Sequence, residues 1–423
     1  MRYLPIKKEL FIENRKNFFS HLKKNAIALF NSNDLFPTGA DSFLPFKQNL
    51  DFFYLSNIDQ QESILLLFKD KEHTKEMLFI TAPNEHTGRW EGETLSKEKA
   101  YELSGIKDVF WIEEFKEIFH QLVHKAKHIY LNINEHYRSS PPKVETREKR
   151  FIKKIIKQYP LHNLKRSNPI LQHLRSIKKP HEIDLLNQAC LITEKGFRRV
   201  LNFIKPGKWE YEIEAEWIHE FTSHRAHFAY SPIIASGKNA CILHYTQNNN
   251  KCQKEDLLLM DVGACYAHYN ADLSRCIPVN GRFSQRAKQL YKVLLEIKKQ
   301  TESLLIAEKN MATYQKEVGE ISTEAFKKIN LIDPSSKDPN AYKRYFMHGI
   351  SHHLGLDTHD YGILSEPFKE NMVFSIEPGI YIPEENIGIR LEDNYVVQKQ
   401  GPPINLMKNI PIEIEEIEDL MHA

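Results

Sequence analysis

Apolar residues gather along the first third of the chain in short β-rich runs set between stretches of helical spacing. AIALF at 26–30, SILLLF at 63–68, MLFIT at 77–81 and HIYLNI at 128–133 each have the length of a buried strand. Their alternation with helical patterns predicts an α/β unit of modest size. From Arg138 the sequence turns to RSSPPKVETREKR, rich in proline and charge and poor in apolar residues, which marks a surface connector or the start of a solvated helix. A boundary near residues 165 to 175 divides the chain into 1–170 and 171–423.

Beyond that boundary the pattern changes. Pro180 stands where a first helical turn tolerates a missing amide, and Ile183, Leu186, Cys190 and Phe197 follow at helix-like spacing until Pro206 and Gly207 stop the run. Similar helical patterns recur at 209–221 and 284–306. Strand-like segments at 256–262, 270–278, 372–377 and 387–397 lie between and after them. Helix pairs mixed with hairpins predict an α+β second domain. No repeat of solenoid period and no low-complexity tract is visible.

Composition narrows the possibilities. A chain of 423 residues exceeds one ordinary hydrophobic core, in agreement with two domains. Lys plus Arg at 58 against Asp plus Glu at 56 leaves a net charge of +2, too small to drive counterion-release binding to nucleic acid. The first residues break their apolar positions with charge, and no long apolar run follows, so neither a secretory segment nor a membrane span is expected. Cys190, Cys241, Cys252, Cys265 and Cys276 are odd in number and contain no CxxC pair, which points to a reducing cytoplasm rather than a disulfide framework or zinc ribbon.

The chemistry concentrates in the second domain. DLLLMDVGACYAHYNADLSRC contains two strand-like runs around a short connection. A hairpin tip at Tyr266 and Ala267 sets Asp261 directly opposite Asp272 on one face. Two carboxylates roughly 5 Å apart repel by about 3 kcal/mol at an effective dielectric near 20. A turn-flanking aspartate facing solvent is the ordinary alternative, but the apolar LLLM before Asp261 argues for burial. A buried carboxylate is paired, protonated or bound to metal.

Further along, MHGISHHLGLDTHD holds His348, His352, His353 and His359. His348 and His352 have the four-residue spacing of HExxH zincins, yet Gly349 occupies the place of the required glutamate. Singly, such histidines are ordinary surface or core residues; their clustering argues otherwise, and Gly349 and Gly355 suggest close backbone approach. Glu377 in VFSIEPGIYIP and Glu392 in IGIRLEDNYVV each interrupt an apolar run, with Arg390 on the same face as Glu392, where the plain reading is an ion pair. Asp261, Asp272, Glu377 and Glu392 together carry a charge that two divalent cations neutralise. Oxygen-rich ligation with one imidazole suits a hard ion such as Mn²⁺. Two such ions activate a water and polarise a carbonyl.

The ordered set LLLMDVGA, YNADLSR, MHGISHHLGLDTHD, FSIEPGIYIP and IGIRLEDNYVV resembles the proline-specific metallopeptidases, aminopeptidase P and prolidase. CILHYTQNN at 241–249 is similar to the segment that supplies a substrate-side histidine in that family. FLPFKQNLDFFYLSN at 43–57 resembles the aminopeptidase P N-terminal domain. The resemblance implies an α/β N-terminal domain followed by an α+β pita-bread catalytic domain. It implies Asp261 on one metal, His352 and Glu377 on the other, and Asp272 and Glu392 bridging both. Glu377 also handles the proton of the attacking water, His348, His359 and His244 face substrate, and Arg390 orients the bridging carboxylates. His353 stands where relatives carry an aromatic or apolar residue, and Gln247 where they often carry an acid. The implied activity is release of an N-terminal residue from peptides with proline second, by a dimer or tetramer in which Asp41 and Trp90 reach a neighbour's site. An Xaa-Pro dipeptidase and a noncatalytic binding module on the same scaffold are the alternatives.

Overall fold

The computed structural model describes residues 3–84, 88–90, 92–138 and 143–422. Part of the expected connector, 139–142, lies outside the described residues. The chain separates into two compact units, Tyr3–Leu174 and Arg175–Ala423.

The first unit is built on a mixed six-stranded sheet. Its strands are β1 (Ala26–Asn31), β2 (Ile64–Lys69), β3 (Thr74–Ile80), β4 (Asp108–Trp111), β5 (His128–Leu131) and β6 (Asn163–Arg166), in the spatial order β4-β3-β2-β1-β5-β6. The β1–β2 and β2–β3 pairs are antiparallel, and the outer pairs are parallel. Every residue of β1 is buried because the strand is central and covered on both faces. One face packs Ile27, Leu29, Leu66, Phe79 and Ile129 against Phe115 and Phe119 of the helix Phe115–Val123. The apolar runs at 26–30, 63–68, 77–81 and 128–133 thus supply β1, β2, β3 and β5. Strand β6 has no such run and β4 carries only the shorter VFWI at 109–112; both are short, partly exposed, and join through parallel pairing.

In the second unit, the helix Pro180–Phe203 carries proline in its first turn, and the Glu182 carboxylate accepts from the Lys179 N–H at 3.0 Å. It packs closely on the helix Glu210–Ser223: a Cβ added at Gly196 would meet the Trp217 ring at 2.4 Å. A second pair comprises Gln285–Leu304 and Met311–Lys328, the latter unmarked by the periodicity reading. The strands are β7 (His227–Phe228), β8 (Ile233–Ser236), β9 (Leu257–Val262), β10 (Ala264–Tyr266), β11 (Tyr269–Asn270), β12 (Leu273–Pro278), β13 (Val373–Ile376), β14 (Gly379–Ile382), β15 (Ile387–Arg390), β16 (Asp393–Val396) and β17 (Ile404–Asn405). They form four small sheets, β11-β10-β7, β12-β9-β8, β13-β16-β17 and β14-β15.

The hairpin register differs from the expected one. Its tip is Ala267–His268, both with positive φ, as a two-residue primed turn requires. Tyr266 therefore pairs with Tyr269, and Asp261 pairs with Ser274 rather than Asp272. Asp261 and Asp272 are diagonal neighbours on one side of the hairpin, a wider and less repulsive arrangement than direct opposition. The ladder breaks just beyond the Val262–Leu273 pair, where Gly263 lets the strands close: a Cβ there would lie 1.8 Å from the Ala271 carbonyl oxygen.

Backbone cannot yield as a flexible side chain does, so Gly263→Ala should lower the unfolding free energy by about 1–3 kcal/mol. Urea unfolding would measure this, and a change below about 0.5 kcal/mol, the range of neutral surface substitutions, would contradict it.

Candidate metal centre

Separate segments of the second unit bring their acids to one imidazole. His352 Nε2 lies 3.3 Å from Asp272 Oδ2, 3.6 Å from Glu377 Oε1 and 4.0 Å from Glu392 Oε1. Asp272, His352 and Glu392 each offer a ligand atom within 4.8 Å of the others. Asp261 joins through the Tyr230 hydroxyl, which stands 2.6 Å from Asp261 Oδ1 and 2.5 Å from Asp272 Oδ1. His352 sits on a non-helical segment running beside β13, where the Ser375 N–H donates to its carbonyl and Glu377 N–H to that of Ile350. The spacing of His348 and His352 is therefore not a helical one. Of the two adjacent histidines, His352 turns to the carboxylates. His353 packs instead on the Phe374 ring at 4.2 Å, and Gly362 leaves no room between them for a Cβ.

Arg390 organises the other side of the cluster. Its Nη2 pairs with Asp261 Oδ2 at 2.5 Å, its Nε donates to Ser274 Oγ at 2.9 Å and its Nη1 to the Tyr381 hydroxyl at 2.7 Å. The Ser274 hydroxyl in turn donates to Glu392 Oε2 at 2.9 Å. The alternative of a plain ion pair between Arg390 and Glu392 does not hold, since Arg390 pairs with Asp261. The hydrogen bonds from Arg390 towards Glu392 run through the Ser274 hydroxyl.

The electrostatics record the crowding. Burial, then repulsion from Asp272, Glu377 and Asp261, holds the Glu392 carboxyl well above the usual range. Burial likewise raises Glu377 to about 7 against the pull of His352 and Arg390, and it raises Asp272 too. Burial alone would lower His352, but its hydrogen bond to Asp272 and the charge of Glu377 outweigh that and raise it. His348 is brought down to about 4 by burial and by Arg390. It is therefore neutral near pH 7, with Nε2 2.8 Å from the Tyr381 hydroxyl and Nδ1 2.9 Å from the Gly349 carbonyl. Since a carbonyl only accepts, Nδ1 carries the proton and the Tyr381 O–H donates to Nε2.

The remaining histidines border the cluster. His359 is exposed, with its ring edge-on to His352 at 4.3 Å. His244 is exposed and close enough to depress His348. The loop carrying His359 is anchored by Asp360, which accepts from Arg175 Nη2 at 2.6 Å and Lys178 Nζ at 3.1 Å, all three side chains at most 2% exposed. Gly355 passes against that carboxylate with no space for a Cβ, whereas Gly349 stands in open space. In the first unit, Asp41 and Trp90 are exposed.

Sequence reasoning missed Tyr230, Ser274, Tyr381 and Asn394. The last three lie inside segments already singled out, but hydroxyl and amide groups carry no charge signal. Tyr230 lies in a segment with no readable pattern, and only the fold brings it to the aspartates.

Glu392 Oε1 is buried and accepts no hydrogen bond from the described residues. A buried acceptor of this kind, among three further carboxylates and an imidazole, fits a divalent cation.

Comparison with known proteins agrees with this chemistry. Residues 184–399 match the family described as metallopeptidase family M24, and residues 11–130 match the aminopeptidase P N-terminal domain. The first unit is thus the expected α/β N-terminal domain and the second the pita-bread domain. The chain is 32% identical to a Haemophilus influenzae Xaa-Pro aminopeptidase, covering 100% of this chain and 99% of the relative. It is 31% identical to the Escherichia coli Xaa-Pro aminopeptidase, covering 99% and 98%. Among solved structures, a Bacillus anthracis chain assigned to aminopeptidase P superposes with a TM-score of 0.92 at 34% identity. Zinc-substituted Escherichia coli aminopeptidase P in complex with product gives 0.89 at 29%. Each comparison covers 99% of both chains.

With chelator present, the raised carboxyls and His352 make the folded chain bind more protons than the unfolded chain near neutrality, so stability falls as pH rises. The depressed His348 opposes this only between its folded value of about 4 and its ordinary 6.5. The midpoint of thermal unfolding of chelated protein should therefore drop from pH 6.5 to 8, while stabilisation by added Mn²⁺ grows over the same interval. A chelated protein that gains stability across it would refute the assignment of these charges.

Proposed function

The chain belongs to metallopeptidase family M24, and on that premise we propose that it removes the N-terminal residue from peptides whose second residue is proline. It is a metal-dependent aminopeptidase. The observation that carries the reading is the partnerless Glu392 oxygen facing a shared basin of acids around His352.

Asp261 would hold one divalent ion, His352 and Glu377 the other, and Asp272 and Glu392 would serve both. The oxygen-rich set favours Mn²⁺. Held there, such ions would supply activation of a water and Lewis-acid polarisation of the scissile carbonyl. The chain does the rest. Glu377, whose side chain is 18% exposed, takes up and returns the proton of the attacking water. Arg390 holds Asp261 by a direct ion pair and orients Glu392 through Ser274. His348, neutral and 3.5 Å from Glu377 Oε2, passes its orientation to Tyr381 and Arg390. His359 and His244, exposed at the border of the cluster, approach substrate and the charge that develops on it.

The substrate suits this design. A bond preceding proline is a tertiary amide without N–H, so recognition has to use the free amino group, the first side chain and the proline ring. The five thiols form no disulfide among the described residues, in keeping with a cytoplasmic protein. None of the described helices is long and apolar enough to cross a membrane. A dimer or tetramer would bring Asp41 and Trp90 to a neighbouring site.

Mn²⁺-loaded protein should cleave an Xaa-Pro-Yaa tripeptide, spare an Xaa-Ala-Yaa control and lose activity with chelator. Cleavage confined to the Xaa-Pro dipeptide would replace the reading with a dipeptidase. Metal analysis should find about two ions per chain. Asp272→Ala should abolish activity and metal retention together, and retention of both would remove Asp272 from the centre.

A further inference from the structure

We propose that Asn394 is a positioning residue that fixes the separation of the two carboxylates shared between the ions, an inference that rests on the dinuclear reading above. Asp272 lies just outside β12, at the break in the hairpin ladder, so neither of its backbone polar groups has a strand partner on that side. Asn394 takes both. Its Oδ1 accepts from the Asp272 N–H at 3.0 Å and its Nδ2 donates to the Asp272 carbonyl at 2.7 Å. The amide is fully buried, and the Cys190 Sγ–H donates to the same Oδ1 at 3.5 Å. All three contacts agree on which way the amide points.

The arrangement continues an antiparallel register by other means. Ser274 and Glu392 form a backbone bridge, with the Glu392 N–H donating to the Ser274 carbonyl at 3.0 Å. Two residues further on each side, the Asn394 carbonyl accepts from the Leu406 N–H at 2.9 Å, and it is the Asn394 side chain that spans the gap to Asp272. One short segment thereby presents the Glu392 carboxylate and grips the residue that presents the other. Any shift of Asp272 relative to Glu392 breaks two buried hydrogen bonds. Groups that orient metal ligands in this manner typically change metal affinity by about 10- to 100-fold when removed.

The test is calorimetric titration of chelator-stripped protein with MnCl₂, together with electron paramagnetic resonance of samples loaded with two equivalents. Wild type should bind two ions and show a spin-coupled pair. Asn394→Leu, similar in size but unable to hold Asp272, should weaken the second ion by about 10- to 100-fold. It should also convert the spectrum to isolated Mn²⁺ and lower kcat with KM little changed. Asn394→Ala carries the same expectation should the leucine variant fail to fold. Cys190→Ala disturbs the same spot but leaves both Asp272 bonds. It should lower the unfolding temperature while retaining two ions at wild-type affinity and a coupled spectrum. Two tightly bound, coupled ions in the Asn394 variants would overturn the proposal, as would equal loss of the second ion in Cys190→Ala. A wild type that binds fewer than two ions would instead overturn the dinuclear reading itself.

Discussion

Three carboxylates drawn to one imidazole, with a fourth joined to them through the Tyr230 hydroxyl, repel one another in a largely buried space, and folding of the second unit has to accommodate that repulsion. Water would screen such charges, but Asp272 and Glu392 are only 5% and 2% exposed. Among the described residues Arg390 is the guanidinium paired with the cluster, and it serves Asp261 directly. Protons supply part of what is missing, which is why Glu377 and Glu392 hold theirs so far above the ordinary range. Divalent cations supply the rest in a form that also does chemistry. The helices and sheets around the site act as walls that keep water from relieving the strain by cheaper means.

Behind the cluster lies a second buried charge network of opposite character. Asp393, next to Glu392, is met by Arg275 at 2.6 Å and Lys298 at 2.5 Å, and Arg275 also donates to the Glu392 carbonyl at 2.8 Å. Here each charge has its partner and the hydrogen bonds are complete, so the layer is rigid and Asp393 stays ionised. Adjacent residues thus have opposite surroundings: Asp393 is compensated by two cationic side chains, whereas Glu392 Oε1 accepts no hydrogen bond from the described residues. This contrast distinguishes structural from functional burial of acids more sharply than exposure does.

Much of this was legible before the fold. The apolar runs predicted the inner strands of the first unit, and Pro180 with its apolar spacing predicted the long helix. The four acids stood out because charge inside apolar runs is conspicuous, whereas His352 was separated from the neighbouring histidines only by the family resemblance. What the chain did not disclose depends on geometry of a finer grain. Placing the turn at Tyr266–Ala267 instead of Ala267–His268 is an error of one residue, yet it exchanged Asp272 for Ser274 opposite Asp261. Turn residues of ordinary appearance gave no warning of their positive φ. Tyr230 and Asn394 escaped for a related reason: their work is done by neutral groups whose partners are distant in sequence.

The Asp360 anchor affects where the catalytic unit can be cut. The family match begins at residue 184, but Arg175 and Lys178, which hold that carboxylate, precede it. A fragment trimmed to the matched span would leave an acid 1% exposed with no cation beside it, and orphaning one member of a buried pair costs about 3–5 kcal/mol. The smallest autonomous peptidase fragment therefore has to start upstream of Arg175, and sequence similarity alone would set its border too late.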